Sequence, residues 1–325
     1  MTVQTITADI YQIKLPLPFA LRNVNCYLLA GDEGWTIVDT GLNTAEGQET
    51  WQTVFQELDI HPQDIEQIVL THAHPDHFGL AGWLQEKAQG APVLMSPREA
   101  ELAHWVWQEE TGWTEVVTAF WSRCGIPDEV VTAVVLETDR TRQRTRPHPR
   151  TIQTIEPGAM VRLGKRHFNI IHTPGHSDGH IIFYDTAARL LLCGDQVLQK
   201  ITPNISLWPF GEPDPLGRYL QSLNQIAQLD VDLALPGHGP LIHNLRGRIK
   251  ELEAHHAERL EVMATAVNGT ANPYDVSQRV FAFDKLSIHE KRFAVSETLA
   301  HLEYLAQQKR IQKSSQPTEW LYKSQ

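Results

Sequence analysis

The amino-acid sequence predicts an α/β fold made of two β-rich halves. Short apolar runs with strand preference alternate with segments in which apolar residues recur at helical spacing, a pattern typical of strands covered by helices. Several strands end at a histidine or an aspartate beside glycines, which let the backbone turn sharply. Helices are expected over 44–58 and 80–89. Strands are expected over 6–15, 25–30, 35–38, 68–70, 92–96, 159–163, 168–171, 181–184, 190–192 and 231–235.

Length and composition indicate a soluble globular protein. A chain of 325 residues can form one large domain and a smaller one, and 42% hydrophobic and 21% charged residues are ordinary values. No apolar run is long enough to span a membrane, and no signal peptide is recognised, so we expect a cytoplasmic protein without membrane contact. Cys26, Cys124 and Cys193 are odd in number and far apart, which favours reduced thiols.

The charge is acidic and unevenly distributed. The net charge is −11; residues 1–240 carry 16 Lys and Arg against 29 Asp and Glu, whereas residues 241–325 carry 12 against 10. A body this acidic argues against a protein that binds nucleic acid by neutralising phosphates over a broad surface.

The stretch from Ile68 to Gly79 is the strongest candidate site. A strand leads into a loop that holds His72, His74, Asp76 and His77, a density of ligand types that a packed core does not need. His72 and His74 are two positions apart, so on an extended backbone both can bind one ion, and Asp76 and His77 suit a second ion. Nitrogen and carboxylate ligands without thiolate favour zinc, with iron and manganese as alternatives.

Residues 97–150 interrupt the α/β alternation and are predicted to form a helical insertion. Helices are expected over 98–111, 115–123 and 128–136. Five large aromatic residues fall close together, which indicates either packing among these helices or a lid that lines a substrate pocket. These aromatic residues are Trp105, Trp107, Trp113, Phe120 and Trp121.

Arginines occupy every second position from Arg140 to Arg146, so an extended chain would carry them on one face. The pattern fits a solvated loop or the capture of an anionic substrate group. Arg142 and Arg144, together with Trp208 of the loop over 201–215, are therefore candidate substrate-binding residues.

Residues 246–325 are predicted to form a second, mostly helical unit. Leu245, Ile249, Leu252, His256, Leu260 and Met263 mark one face of a long helix. Further helices are expected over 276–281 and 288–307, followed by short segments over 310–313 and 320–322. This order suggests a winged-helix-like unit.

The motifs of residues 1–245 resemble those of the metallo-β-lactamase superfamily. The matching positions are the run from Thr71 to His77, His176 in Thr-Pro-Gly-His, Asp195 after Cys-Gly, and His238 in Pro-Gly-His-Gly, and they follow the family order. The resemblance implies a four-layer αβ/βα sandwich with the site at one edge of two facing sheets. It also implies one metal on His72, His74 and His176, a second metal on Asp76, His77 and His238, a bridging Asp195, and a supporting Asp39.

The departures from the family pattern leave every ligand in place. Leu80 and Asp178 stand where many members have glycine and proline, and His74 stands where oxygen-reducing relatives carry glutamate. The histidine at this position favours hydrolysis over redox chemistry. His172 and His180 match no ligand position and are interpreted as structural.

The predicted function is a hydrolase that uses a hydroxide bridged by two metal ions to cleave a small ester, lactone or thioester. Asp76 is the candidate group that orients the hydroxide and passes a proton to the leaving group. A nuclease or phosphodiesterase with the same binuclear site is the alternative, and a winged-helix regulator with a metal-dependent sensor domain is the competitor from another class. A homodimer is compatible with the sequence, which does not determine the oligomeric state.

Overall fold

A seven-stranded sheet forms the first half of the described chain. The structure, a computed structural model, describes residues 2–18, 21–108, 112–316 and 318–324. Strands β1 to β4 are antiparallel neighbours and β4 to β7 run parallel. The strands are β1 (Val3–Thr7), β2 (Ile10–Pro16), β3 (Asn23–Ala30), β4 (Trp35–Val38), β5 (Ile65–Val69), β6 (Val93–Met95) and β7 (Ile152–Thr154).

The prediction of one strand over 6–15 is wrong, because the chain turns between β1 and β2. Asp9 lies in this turn, where it accepts hydrogen bonds from the Thr7 hydroxyl at 2.8 Å and from Arg166 Nε at 2.7 Å. These contacts stabilise the buried carboxylate of Asp9 at a position where the apolar pattern alone predicts a strand.

A five-stranded sheet forms the second half, in the order β12, β11, β10, β9, β8. Its strands pair antiparallel except β11 and β12, which are parallel. The strands are β8 (Met160–Leu163), β9 (Arg166–His172), β10 (Ile181–Asp185), β11 (Leu190–Gly194) and β12 (Leu233–Pro236).

Six of the ten α-helices of the described chain begin at a capping side chain that accepts a hydrogen bond from a free backbone N–H group. Thr44 accepts from Gly47 N at the start of α1, and Ser287 and Glu290 form a capping box at the start of α10. The helices are α1 (Ala45–Glu57), α2 (Pro75–Phe78), α3 (Ala81–Lys87), α4 (Pro97–Ala103), α5 (Trp113–Arg123), α6 (Asp128–Gln143), α7 (Pro215–Ile226), α8 (Leu245–Ala266), α9 (Pro273–Val280) and α10 (Ile288–Gln307).

Successive side chains of a strand face opposite sides of its sheet, and the core is therefore divided into layers. In β10, Ile181 and Phe183 pack between the two sheets, whereas Ile182 and Tyr184 face the helices on the other side. In the first sheet, Ile37 and Ile68 pack against α1 and α3. The predicted four-layer αβ/βα sandwich is confirmed by this arrangement. None of its described helices combines the length and low charge of a membrane-spanning segment.

The segment between β6 and β7 is helical, as predicted, but its helices differ from the expected ones. After α4, residues His104–Gln108 form a π-helical turn, and residues 109–111 of the first expected helix lie outside the described chain. Helix α6 continues to Gln143 because Thr138 and Thr141 extend its buried face.

The prediction that the arginines form an extended row is therefore wrong, since Arg140 and Arg142 belong to α6. Arg142 is buried, with its guanidinium carbon 4.7 Å from the centre of the Trp113 ring. Arg140 is exposed and pairs with Glu137 at 3.2 Å. Because the two arginines are two positions apart on a helix, their side chains lie in different surroundings.

The last residues of the described chain form α8, α9 and α10 with a small antiparallel sheet. Its strands are β13 (Thr270–Ala271), β14 (Ile311–Ser315) and β15 (Trp320–Ser324), in the order β13, β15, β14. The buried face of α8 consists of the six residues that periodicity predicts: Leu245, Ile249, Leu252, His256, Leu260 and Met263.

Candidate metal centre

The candidate ligands meet at one edge of the two facing sheets. Asp39 directly follows β4 and His72 lies beyond β5, its parallel neighbour. Asp195 follows β11 and His238 lies beyond β12, also a parallel pair. His176 lies in the turn that connects β9 to β10. Because parallel strands end at the same edge, side chains distant in sequence come together here.

Three imidazoles form the first potential ligand group. One ligand nitrogen each from His72, His74 and His176 lies within 4.8 Å of the others. Nε2 of His72 is 3.0 Å from Nδ1 of His74, and the rings of His74 and His176 have centroids 4.5 Å apart. The two-residue spacing predicted this pairing of His72 with His74.

A carboxylate and two imidazoles form the second group. The ligand atoms of Asp76, His77 and His238 also lie within 4.8 Å of one another. His238 Nε2 is 3.2 Å from Asp76 Oδ2, and His77 Nε2 is 4.0 Å from the same oxygen. Asp76 and His77 reach this position because Pro75 starts the short helix α2 immediately after His74.

Asp195 lies between the two groups. Its Oδ2 is 3.5 Å from His176 Nε2 and 3.3 Å from His238 Nε2, while its Oδ1 is 3.5 Å from His77 Nε2. One carboxylate therefore faces imidazoles of both groups, which is the placement that the family resemblance implies.

Hydrogen bonds at the far side of three imidazoles fix their orientation. His77 donates from Nδ1 to Asp39 Oδ2 at 2.9 Å, His176 to the Asn204 carbonyl at 2.9 Å, and His238 to the Asn23 carbonyl at 2.8 Å. Donation from Nδ1 leaves Nε2 as the free ligand atom in each ring. Asp39 also accepts from the backbone N–H and the hydroxyl of Thr71.

The inward-facing atoms fit a metal centre. Nε2 of His77, His176 and His238 and Oδ1 of Asp195 are buried without a hydrogen-bond partner among the described residues. Buried polar atoms are ordinarily paired, so a group of unpaired nitrogen and oxygen atoms that converge at one place favours cations there. Imidazole and carboxylate donors are those that zinc, iron and manganese accept.

The pKa values of the two groups differ because their carboxylates are unevenly placed. Burial lowers the pKa of His74 to about 3 and that of His72 well below its usual range. Burial also acts on His238, but Asp195 and Asp76 outweigh it and raise the pKa to about 10. The same competition raises the pKa of His77, through Asp195, Asp39 and Asp76. Asp76 and Asp195 thus favour positive charge at the second group, which a bound cation would supply.

Gly237 allows the two sheets to approach each other at this edge. A Cβ at this position would lie 2.7 Å from Cε1 of His77, which is closer than side chains tolerate. The Asn25 N–H donates to the Gly237 carbonyl at 2.7 Å and so joins β3 to the loop that carries His238. The glycine next to His238 is therefore a packing requirement.

Glu99 is a buried residue of the site that the sequence analysis missed. Its carboxylate accepts from Ala73 N at 2.6 Å, from Ser177 Oγ at 2.5 Å and from Gly179 N at 2.8 Å. It therefore connects the loop of His72 and His74 to the loop of His176. The available signal was a serine three residues before a glutamate, which predicts a helix cap; Ser96 does cap α4.

His172 and His180 make the structural contacts predicted for them. His172 Nε2 lies 2.9 Å from the Asp178 carbonyl, and His180 Nδ1 lies 3.0 Å from the Thr173 hydroxyl. His180 is fully buried, and its Nε2 accepts from the Asp195 N–H at 3.2 Å. The second contact holds the backbone that presents Asp195.

A cavity of about 960 Å³ opens above the metal centre, with His74, Asp76, His176, Asp195 and His238 in its lining. The insertion contributes Trp107, Trp113 and Trp121, which are buried in the core and also line the cavity. These three tryptophans therefore combine core packing with lining of the cavity.

The three candidate substrate residues are placed differently around this cavity. Arg144 and Trp208 belong to its lining, and the Trp208 ring packs edge-on against Trp121 with centroids 5.9 Å apart. Arg142 is buried behind this wall against Trp113.

The family assignment follows from this fold and from sequence comparison. Residues 20–238 match the family model of the metallo-beta-lactamase superfamily, and residues 260–322 match that of the metallo-beta-lactamase-like C-terminal domain. The chain belongs to the metallo-β-lactamase superfamily. A probable metallo-hydrolase of Bacillus subtilis, named YqjP, is 27% identical over 319 residues, which cover 94% of each chain.

Solved structures of two relatives extend the similarity over nearly the whole chain. A metallo-beta-lactamase family protein from Thermus thermophilus is 32% identical, with a TM-score of 0.89 and coverage of 99% of this chain and 100% of the other. A beta-lactamase domain protein from Burkholderia ambifaria is 27% identical, with a TM-score of 0.86 and coverage of 99% and 93%. The family and these relatives point to a metallo-hydrolase.

Proposed function

We propose that this protein is a binuclear metal-dependent hydrolase that cleaves a small ester, lactone or thioester. The observation that supports this function best is the position of Asp195, whose two oxygens face imidazoles of both ligand groups at the floor of the cavity. His72, His74 and His176 would hold one ion, Asp76, His77 and His238 the other, and Asp195 both. Zinc suits these donors first.

Divalent ions at these ligands would supply activated water at neutral pH and stabilise negative charge that develops on a carbonyl oxygen. The chain contributes the geometry and the proton transfer. Asp76 lines the cavity, and although burial acts to raise its pKa, His77 and His238 keep that pKa below its usual range. An ionised Asp76 can accept a proton from the attacking water and pass it to the leaving group.

The cavity walls favour carbonyl substrates over nucleic acid. Trp107, Trp113, Trp121 and Trp208 line them, which suits the apolar part of a small molecule. The arginine row that supported the alternative nuclease is not a continuous surface, because Arg142 is buried. The acidic body adds repulsion for a polyanion.

The C-terminal unit is proposed to be winged-helix-like and to serve as a wall of this cavity. Its three helices and small antiparallel sheet fit that description, and Phe281, Ile288 and Phe293 belong to the lining. A substrate would therefore contact this unit directly, which is not expected of a module that only binds nucleic acid.

The test compares the wild type with Asp76→Asn on a thioester, a lactone and single-stranded RNA. The substitution keeps an oxygen for the metal but removes the basic carboxylate, so turnover of the carbonyl substrates should fall by roughly 100-fold or more. Asp139→Asn, which changes an exposed carboxylate on α6, should retain wild-type turnover. Cleavage of RNA by the wild type without turnover of either carbonyl compound would overturn the proposal.

A further inference from the structure

The cavity wall formed by α10 contains an arginine that the proposed hydrolysis does not use. Arg292 lies in the lining, and its guanidinium carbon is 4.7 Å from the centre of the Trp208 ring and 4.6 Å from that of Phe293. Aromatic faces on a guanidinium fix its plane while leaving its N–H edge available. Trp208 is itself supported by Trp121 of the insertion.

Among the described residues, no carboxylate forms a close ion pair with this arginine. In the described ranges, Arg292 has no side-chain salt bridge within 4.0 Å; the charge that acts on it is that of Glu137, whose carboxylate is 3.2 Å from Arg140. Burial lowers the pKa of Arg292 to about 10, so the side chain remains protonated at neutral pH. Arg292 is half-buried, and a partly desolvated cation is stabilised by an anionic partner, for which the lining leaves space.

Arg292 and residues of the metal centre line the same cavity. His74, Asp76 and His238 belong to this lining together with Arg292 and His289. A small molecule that fills the cavity can therefore contact both the guanidinium and the metal-site residues.

We infer that Arg292 binds a carboxylate group of the substrate, so that the proposed hydrolase acts on an apolar ester, lactone or thioester whose far end carries a single negative charge. This inference rests on the proposed function for the reacting carbonyl. A planar guanidinium pairs with a carboxylate through two parallel N–H···O bonds, and the tryptophans would hold the apolar chain between the two ends. The field of Glu137 favours a singly charged group over a multiply charged one.

The kinetic test uses two thioesters of a medium-chain dicarboxylic acid, one with a free terminal carboxylate and one with that carboxylate converted to an amide. Arg292→Gln should raise KM for the charged thioester by roughly 10- to 100-fold, the loss expected for a charge-assisted hydrogen bond. kcat for both thioesters and KM for the neutral one should change little. Arg292→Lys should recover part of the loss, because it restores charge without the planar fork.

Arg310→Gln is the matched control, since Arg310 lies in the same C-terminal unit and pairs with Glu261 at 2.7 Å. It removes the same charge from outside the cavity lining and should leave both KM values unchanged. Thermal unfolding of each variant identifies any loss that arises from misfolding. Equal KM changes for the charged and neutral thioesters in Arg292→Gln would overturn the carboxylate site while leaving the hydrolase proposal intact.

A binding measurement tests the carboxylate site independently of turnover, and so distinguishes it from the hydrolase proposal. A medium-chain dicarboxylate and its diamide are titrated into the metal-loaded protein while tryptophan fluorescence is recorded, because Trp208 contacts the arginine. Saturable binding of the dicarboxylate that is lost in Arg292→Gln supports the site even if no thioester is turned over, a result that would refute only the hydrolase proposal. Binding that persists unchanged in the variant would place the carboxylate elsewhere and overturn the inference.

Discussion

At the scale of single residues, Asp195 lies between the two ligand groups of the candidate metal centre. Its oxygens lie 3.3 to 3.5 Å from ligand atoms of His77, His176 and His238. Those three rings are held from behind by Asp39, the Asn204 carbonyl and the Asn23 carbonyl, so they cannot readily turn toward other partners. Loss of this one carboxylate should therefore disturb both groups.

We predict that Asp195→Ala removes metal from both positions. The wild type should retain about two ions per chain, as binuclear hydrolases do, and the variant close to none, because each position loses a charged ligand. Elemental analysis after dialysis against a weak chelator measures the change. Asp185→Asn is the control, since Asp185 is equally buried but pairs with Arg166. Full occupancy in Asp195→Ala would show that the bridging assignment is wrong.

The candidate ligands could be predicted from sequence because they follow apolar strands, most of them next to a glycine or a proline. The two-residue spacing of His72 and His74 also predicts that both side chains can bind one ion. Glu99 and Arg292 could not be predicted, because nothing near either residue in the sequence indicates which distant groups it meets. Glu99 contacts Ser177 and Gly179 only after the two sheets have come together.

At the scale of elements, α10 carries an unusual set of buried titratable side chains. Burial raises the pKa of Glu297 to about 7, and Arg259, whose Nε lies 3.8 Å away, opposes only part of that shift. His301 lies one turn further on, and burial lowers its pKa to about 4. Both shifts favour the uncharged form inside the helix packing.

We predict that Glu297 makes the stability of the protein depend on pH. Its folded-state pKa lies above the ordinary value of 4.5, so the stabilisation is complete below about pH 4.5 and is lost as the pH rises through about 7. Relative to Glu297→Gln, the wild type should lose up to about 3 kcal/mol of unfolding free energy across this range. Urea denaturation at a series of pH values measures the difference.

Glu258→Gln, which changes an exposed carboxylate on α8, is the control for this prediction. Its free energy of unfolding should depend on pH in the same way as that of the wild type. A difference between wild type and Glu297→Gln that stays constant with pH would contradict the role assigned to Glu297.

Helices were predicted where apolar periodicity coincides with a cap, and the bounds expected for α10 agree with the structure. Helix α6 was predicted too short, because threonines rather than apolar residues continue its buried face. No helix was predicted over α7, although Leu216, Tyr219, Leu223 and Ile226 occur at helical spacing and are buried. Pro215 lies at the first position of this helix, where proline is common.

At the scale of the whole molecule, the C-terminal unit shares one core with the second sheet. Leu191 of β11, Leu223 of α7 and Leu299 of α10 belong to a single cluster of buried side chains, which also includes Trp113 of the insertion. The predicted boundary at residue 245 coincides with the start of α8, but apolar packing continues across it. We therefore propose that the two parts unfold together.

We predict that Leu299→Ala lowers the free energy of unfolding of the entire chain by about 2–5 kcal/mol, because it leaves a cavity in the shared core. Calorimetry should show one transition at lower temperature. Val262→Ala, which shortens an exposed side chain on α8, should leave the transition temperature unchanged. A separate early transition, with the main one unchanged, would show that the C-terminal unit folds independently.

The walls of the cavity have a consequence for the order of events during synthesis. His238 is the last of the proposed ligands to leave the ribosome, but Phe281, Arg292 and Phe293, which close the cavity, follow it by several tens of residues. A nascent chain that already contains every proposed ligand still lacks these lining residues and part of the core that they belong to. The lining of the cavity is thus complete only after translation has passed α10.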